Sequence, residues 1–125
     1  MKCRIILELL AILFFTGCYN REQISRLDEA EALIQNKPDS ALTILQQLKS
    51  EGSQAEQAKY ALLYSEALDK NHIKATNDSL IRRAWEYYKH HPKDLRRQCK
   101  TLYYWGKVIL STGDKPVALR LYLIV

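Results

Sequence analysis

Three histidines and a run of carboxylates are the side chains whose types could support metal or acid–base chemistry. His90 and His91 are neighbours, and neighbouring helical residues point about 100° apart, so the two cannot easily bind one metal ion. The carboxylates within 28–31 stand near Lys and Arg residues, where a solvated charged surface is their usual role. Glycine-rich phosphate loops, nucleophile elbows and Cys-x-x-Cys pairs are missing from the sequence. We therefore expect no metal site and no enzyme.

The first residues of the chain differ in kind from the rest. Lys2 and Arg4 precede an apolar run over 5–15 that only Glu8 interrupts. As a helix, that run rises about 16 Å, roughly half of the ~30 Å hydrocarbon core of a bilayer. A charged start, a short apolar run and small residues at its end are typical of a secretory signal. We predict a signal peptide over 1–17.

A short motif follows the apolar run. The sequence Phe15-Thr16-Gly17-Cys18 resembles the lipobox of bacterial lipoproteins, although Phe15 stands where Leu is usual. The resemblance implies cleavage between Gly17 and Cys18 and a covalent lipid on Cys18, with 18–20 as the lipidated N-terminus and tether. An ordinary cleaved signal with a chance cysteine, or an uncleaved anchor, is the alternative.

The use of cysteine fits such an exported lipoprotein. Cys3 lies in the segment to be removed and Cys18 would carry the lipid, so Cys99 alone remains as a thiol. A disulfide within the mature chain is then impossible, and Cys99 is expected to be a buried, inert thiol. We expect the protein in the cell envelope, held on a membrane by the lipid. The residues after Cys18 lack the acidic run that resembles a surface-export signal, which favours the periplasmic side of the inner or outer membrane.

The charge of the chain is modest and well mixed. Its 125 residues contain 19 Lys and Arg against 14 Asp and Glu, a formal net charge of +5. The basic residues never form a block longer than the pairs Arg82-Arg83 and Arg96-Arg97, so a nucleic-acid partner is not expected. Only 4 Gly and 3 Pro argue against a fold that needs many turns.

Apolar residues recur at helical spacing through almost all of 21–125 and predict six helices. The breaks carry suitable residues: Pro38 to stop one helix and Asp39 to cap the next, and Gly113 and Asp114 before the last. Asn77 or Asp78 can cap the fourth helix. The stripes run over Ile24–Ile34, Ala41–Leu48, Ala58–Leu68, Leu80–Tyr88, Leu95–Ile109 and Val117–Val125. The predicted fold class is all-α.

Internal repetition refines this prediction. Asp39-Ser40-Ala41-Leu42 recurs as Asp78-Ser79-Leu80-Ile81 at an offset of 39. The third stripe recurs in the fifth at an offset of 41, with the small residues Ser65 and Gly106 where two helices would approach closely. A period near 40 with two helices per unit predicts a right-handed solenoid of about three helical hairpins after the signal helix.

The last of these hairpins resembles a tetratricopeptide repeat. Leu102, Trp105 and Gly106 match the large, large and small residues of its first helix, and Ala118 and Tyr122 match its second. Together with the lipobox, the chain resembles the degenerate tetratricopeptide-repeat lipoproteins of Bacteroides-type bacteria, many of which are longer. The resemblance therefore implies that the repeat domain over 21–125 is the N-terminal, truncated part of a longer architecture.

In such repeats the first helix of each pair lines a concave surface that binds a protein or peptide. The family's concave positions and the offset of 41 give six candidate residues, whose alternative role is a merely solvated face. These are Lys59, Leu62, Glu66, Lys100, Tyr103 and Lys107.

We therefore expect a membrane-anchored scaffold that binds a protein or peptide without catalysis. The alternative is the sensor or scaffold front of a longer membrane signalling protein, with little function of its own. A glycan-uptake accessory that uses the Tyr and Trp residues is a weaker possibility. The apolar run over 121–125 on the outermost helix also predicts self-association through that helix, or its burial against further repeats.

Overall fold

A computed structural model describes the backbone of residues 2–124 and the side chains of 3–8 and 21–124. Within this part of the chain there are six α-helices and no β-strand, so the all-α prediction is confirmed. The helices are α1 (Lys2–Leu33), α2 (Pro38–Gln47), α3 (Gln54–Lys70), α4 (Ser79–Tyr88), α5 (Leu95–Ser111) and α6 (Lys115–Ile124).

The first helix is much longer than the others. α1 has 32 residues and continues without a break through the predicted cleavage position. Within 21–33 the first buried side chain is Gln23, whose Nε2 donates to the carbonyls of Lys49 and Glu51 in the α2–α3 loop. In the described part of the chain, no helix has both the length and the apolar content needed to cross a membrane.

Each helix packs against the next one along the chain, and α3 also contacts α1 and α5. Among the described residues, no contacts join α2 to α4 or α4 to α6. The odd-numbered helices therefore form a continuous layer, while the even-numbered helices are separate from one another. This arrangement places α3 and α5, which carry the six candidate binding residues, side by side.

Two apolar clusters hold the odd-numbered and even-numbered helices together, and α3 contributes to both. The first joins α1, α2 and α3 through Leu27, Ala30, Ile34, Ala41, Leu42, Ile44, Leu45, Leu63 and Ala67. The second joins α3, α4 and α5 through Ala58, Ala61, Leu62, Ile81, Ala84, Tyr88 and Tyr104. Because α3 buries side chains on two sides, it is the central element of the fold.

The helix ends follow the sequence at Gly113 and Asp114 but not at Pro38, which begins α2 instead of stopping a helix, nor at Asp39. Gly113 has φ +95°, and Asp114 Oδ1 accepts from the backbone N–H of Val117 at 3.4 Å, as predicted. The prediction that Asp39 caps α2 is wrong, because the helix already begins at Pro38. Proline is favoured in the first turn, where its missing N–H has no helical partner to lose. Asp39 is an acidic residue of that first turn instead.

Small residues allow two close helix contacts. A Cβ built on Gly106 would lie 2.6 Å from Cε1 of Tyr122, so α6 approaches α5 at a point that only glycine leaves open. Ser65, in the matching place on α3, is buried, and its hydroxyl donates to the carbonyl of Ala61 at 2.8 Å. The predicted close approach at Gly106 is confirmed.

Candidate binding surface

The structure places α3 and α5 side by side, and two of the six candidates, Glu66 and Lys100, pair with each other. Lys100 Nζ lies 3.2 Å from Glu66 Oε1, and Lys107 Nζ lies 2.7 Å from Asp69 Oδ2. The hydrogen bond to Asp69 raises the pKa of Lys107, so this side chain is a firmly charged donor. Both lysines therefore neutralise carboxylates of the neighbouring helix.

Glu66 is almost completely inaccessible, with 1% of its surface exposed. Its Oε1 accepts from Lys100 and also from Gln35 Nε2 in the α1–α2 loop, at 3.2 Å each. Burial, followed by the charge of Glu66 and a hydrogen bond to it, raises the pKa of the Tyr104 hydroxyl well above its usual range. A buried carboxylate requires such partners, and Glu66 is therefore a structural link rather than an accessible binding group.

The remaining α3 candidates also have partners inside the fold. Lys59 forms an ion pair with Asp28 and lies 3.7 Å from Glu31, both on α1. Leu62 is 2% exposed and belongs to the cluster formed with α4 and α5. Leu62 therefore packs in the core and does not line an open surface.

One further ion pair, not considered from the sequence, crosses the whole layer. Arg97 of α5 donates to Glu31 of α1 at 3.1 Å and to Asp94 at 3.0 Å. Acidic residues on α1 and basic residues on α5 are visible in the sequence. Their pairing became apparent only once the three odd-numbered helices were placed side by side.

Tyr103 is the most accessible of the six candidates. The side chain is 43% exposed, while its neighbour Tyr104 is buried, so only one member of this aromatic pair packs in the core, as predicted. The Tyr103 ring lies 6.0 Å from the ring of Tyr122, and Lys107 Nζ is 5.5 Å from its centroid. The ring is thus held by α6 on one side and by a cation on the other.

A cavity of about 360 Å³ lies between the C-terminal halves of α3 and α5, beneath the α3–α4 loop and the start of α4. Lys107 belongs to its wall and so joins the cavity to Tyr103. Its volume is within the range of side-chain and small-ligand pockets. The apolar lining consists of Leu68, Ile73, Ala75, Leu80, Ile81, Tyr104, Val108 and Leu110, and the polar lining of Ser65, Asp69, His72, Lys74, Asn77, Lys107 and Ser111.

The loop that covers the cavity is fixed by the end of α3. His72 has φ 59°, a conformation that glycine usually occupies at the end of a helix. Its N–H donates to the carbonyl of Asp69 at 3.0 Å, and the N–H of Ile73 donates to that of Leu68 at 2.9 Å. These two bonds turn the chain back so that Ile73 and Lys74 reach the cavity wall.

The other histidines lie away from this site. His91 stacks on Tyr87, with ring centroids 3.9 Å apart, and its Nδ1 is 2.7 Å from the Tyr87 carbonyl oxygen. Among the described residues, no group of three or more His, Cys, Asp or Glu side chains could hold a metal ion.

The predicted lipidation site cannot be described in the same way. The side chain of Cys18 and the surroundings of Gly17 lie outside what the structure describes. Cys99 is a half-buried free thiol within α5.

No family model matches the chain, and comparisons with curated proteins and with solved structures also gave no match.

Proposed function

We propose that the chain is a protein-binding scaffold of tetratricopeptide-like hairpins, held in the cell envelope by a lipid on Cys18. The repeat architecture is supported by the sequential packing of the helices and by the contacts of α3 with both α1 and α5. The lipid is supported by the small residues before Cys18 and by the short apolar run that precedes them.

The observation that carries the binding role is the cavity whose wall includes Lys107, together with the exposed Tyr103 ring, whose centroid lies 5.5 Å from Lys107 Nζ. An accessible aromatic ring next to a mostly apolar recess is a common peptide-anchoring arrangement. Elsewhere on the odd-helix layer, Lys59 pairs with Asp28 and Arg97 pairs with Glu31.

The chemistry of the partner follows from these neighbours. Lys100 and Lys107 already have carboxylate partners, so an acidic peptide cannot depend on their charges alone. Lys74 is exposed at the cavity wall and has no ion pair among the described residues. We propose an extended segment that places an apolar side chain in the cavity and an adjacent carboxylate towards Lys74, with no bond chemistry and no nucleic acid involved.

Selection from a randomised peptide library on the immobilised full chain tests this function. The expected enriched peptides contain an apolar residue flanked by Asp or Glu. Lys74→Glu should weaken their binding about tenfold, the equivalent of about 1.4 kcal/mol. Lys93→Glu is the matched control, because Lys93 is exposed but lies in the α4–α5 loop. Enrichment of basic peptides, or equal losses in the two variants, would contradict the proposal.

The lipid anchor has its own experiment. Cells fed a labelled fatty acid should incorporate label into the wild-type chain and into Cys99→Ser, but not into Cys18→Ser. Label retained by Cys18→Ser would remove the anchor from the proposal and leave the peptide site to be judged separately.

A further inference from the structure

Helices α2 and α6 are equivalent in length and in their central residues. Each has ten residues, and each carries a buried alanine in fourth place followed by leucine. Ala41 and Ala118 are the two alanines, and both face the preceding helix of their hairpin. The surroundings of α2 therefore indicate what a helix of this kind normally contacts.

The two leucines that follow have very different surroundings. Leu42 is 8% exposed, in a cluster with Leu63 and Ala67 of α3, whereas Leu119 is 59% exposed. Among the described residues, α6 contacts only α5, so nothing lies on α6 as α3 lies on α2. A position that is covered in the first hairpin is open in the last.

The rest of α6 is also more apolar than its counterpart. Gln46 and Gln47 of α2 are replaced by Leu123 and Ile124, which are 76% and 67% exposed. A helix that is apolar on almost every side is normally buried, and a contiguous exposed apolar surface marks an interaction site. A further hairpin like α3 would cover the position of Leu119 but would leave the other two exposed.

We propose that a second copy of the chain covers this surface, with the two α6 helices packed antiparallel about a two-fold axis. Leu119 and Leu123 are one helical turn apart and form the contact ridge, which is apolar in both copies and so self-complementary.

Other surfaces of the chain fit α6 poorly. A head-to-tail array would place α1 of the next copy on α6, but only one exposed residue of α1 within 21–33 is large and apolar. These exposed residues are Arg21, Glu22, Ile24, Ser25, Asp28, Glu29 and Ala32. The exposed apolar group Ile5–Leu7 lies in the segment that we expect to be removed. Because the exposed face of α1 is polar, a third copy cannot add to α1, and the assembly ends at two copies.

Sedimentation velocity of the full chain tests the proposal. We expect a dimer whose dissociation constant rises at least tenfold in the double variant Leu119→Gln, Leu123→Gln. Leu95→Gln, an exposed leucine at the start of α5, and the pair Ile5→Gln, Leu7→Gln are controls that should leave the dimer intact. Far-UV circular dichroism of each variant, with unchanged helical signal, separates lost contacts from lost folding.

The charges of α6 give a second readout. Lys115 and Arg120 are its only charged residues, so two copies repel each other and the dimer should tighten as salt is raised. In a Cys3→Ser background, oxidation of the double variant Leu119→Cys, Leu123→Cys should yield a disulfide-linked dimer, because antiparallel packing places residue 119 of one copy opposite residue 123 of the other. Neither that background alone nor its Leu110→Cys variant should form this dimer. A monomeric wild type would overturn the proposal, as would polymers that grow with concentration or a dimer abolished only by the Ile5→Gln, Leu7→Gln pair. A monomer that binds phosphatidylglycerol vesicles through α6 would also overturn it and assign the surface to a membrane.

Discussion

Glu66 of α3 and Lys100 of α5 form an ion pair across two helices, in which the carboxylate is buried and the ammonium group is partly exposed. The two residues are 34 positions apart in the sequence, so the pair depends wholly on the packing of α3 against α5. Two charged groups that the sequence predicts as ligand-binding residues therefore stabilise the fold by pairing with each other.

Removing the Lys100 ammonium group should destabilise the fold, because the Glu66 carboxylate would stay buried without its cation. Lys100→Ala leaves Glu66 with only neutral hydrogen-bond partners, and we expect the free energy of unfolding to fall by about 2 kcal/mol in urea titration. Glu66→Gln should cost less, because an amide can keep the bond to Tyr104 or Gln35. Lys93→Ala is the control and should change stability by less than about 0.5 kcal/mol. Equal effects of Lys100→Ala and Lys93→Ala would show that the pair contributes nothing.

The strained end of α3 predicts a stabilising substitution. His72 has φ 59°, so His72→Gly should raise the free energy of unfolding by about 0.5–1 kcal/mol, because glycine adopts this conformation without steric cost. His90→Gly is the matched control at a position without positive φ, where glycine should lower stability by a similar amount. Thermal unfolding followed by circular dichroism measures both. Destabilisation by His72→Gly would mean that the imidazole makes a contact that outweighs the strain.

Acid should weaken the contact between α4 and α5. Partial burial by itself raises the pKa of Asp78. Hydrogen bonds from Arg82 at 2.7 Å and from Trp105 Nε1 at 3.0 Å lower the pKa by more than burial raises it, so the net pKa is below its usual value of 3.8. Because the folded-state pKa is the lower one, the contribution of Asp78 is complete above the unfolded-state pKa. It is lost as the pH falls through the folded-state pKa.

At neutral pH the free energy of unfolding of the wild type should therefore exceed that of Asp78→Asn by about 1 kcal/mol. This difference should shrink towards zero as the pH falls below the pKa of an ordinary aspartate. Urea titrations over a pH series measure it. Trp105→Phe removes one of the two donors and should make the stability of the chain less dependent on acid. A difference that stays constant down to the lowest pH would exclude this role for Asp78.

The sequence predicts the elements of this fold better than it predicts its surfaces. Apolar spacing and the positions of Gly and Pro define six helices because both depend on local geometry. The identity of charge partners is not local: Arg97 meets Glu31 only because α1, α3 and α5 form one layer. The predicted start of α2 is wrong because proline can either stop a helix or stand in its first turn, and Pro38 does the latter.

The candidate surface shows the same division. The repeat offset makes Leu62 the counterpart of Tyr103, yet Tyr103 is 43% exposed and Leu62 only 2%. Because α3 lies between two neighbouring odd helices and contributes to both cores, it has a narrower open face than α5. The cavity under the α3–α4 loop has no sequence signal of its own, since its wall joins residues 65–81 to the C-terminal half of α5.

The contact of Gly106 with Tyr122 predicts an effect whose sign depends on the partner. A Cβ at position 106 would lie 2.6 Å from the tyrosine ring, so Gly106→Ala should push the ring aside and destabilise the chain by about 1 kcal/mol. In the Tyr122→Ala background the space is free, and the same substitution should stabilise the chain by up to about 1 kcal/mol through helix propensity. A double-mutant cycle from urea titrations measures the reversal. If Gly106→Ala has the same effect in both backgrounds, the ring does not require glycine at this position, and the close approach of α6 to α5 depends on other contacts.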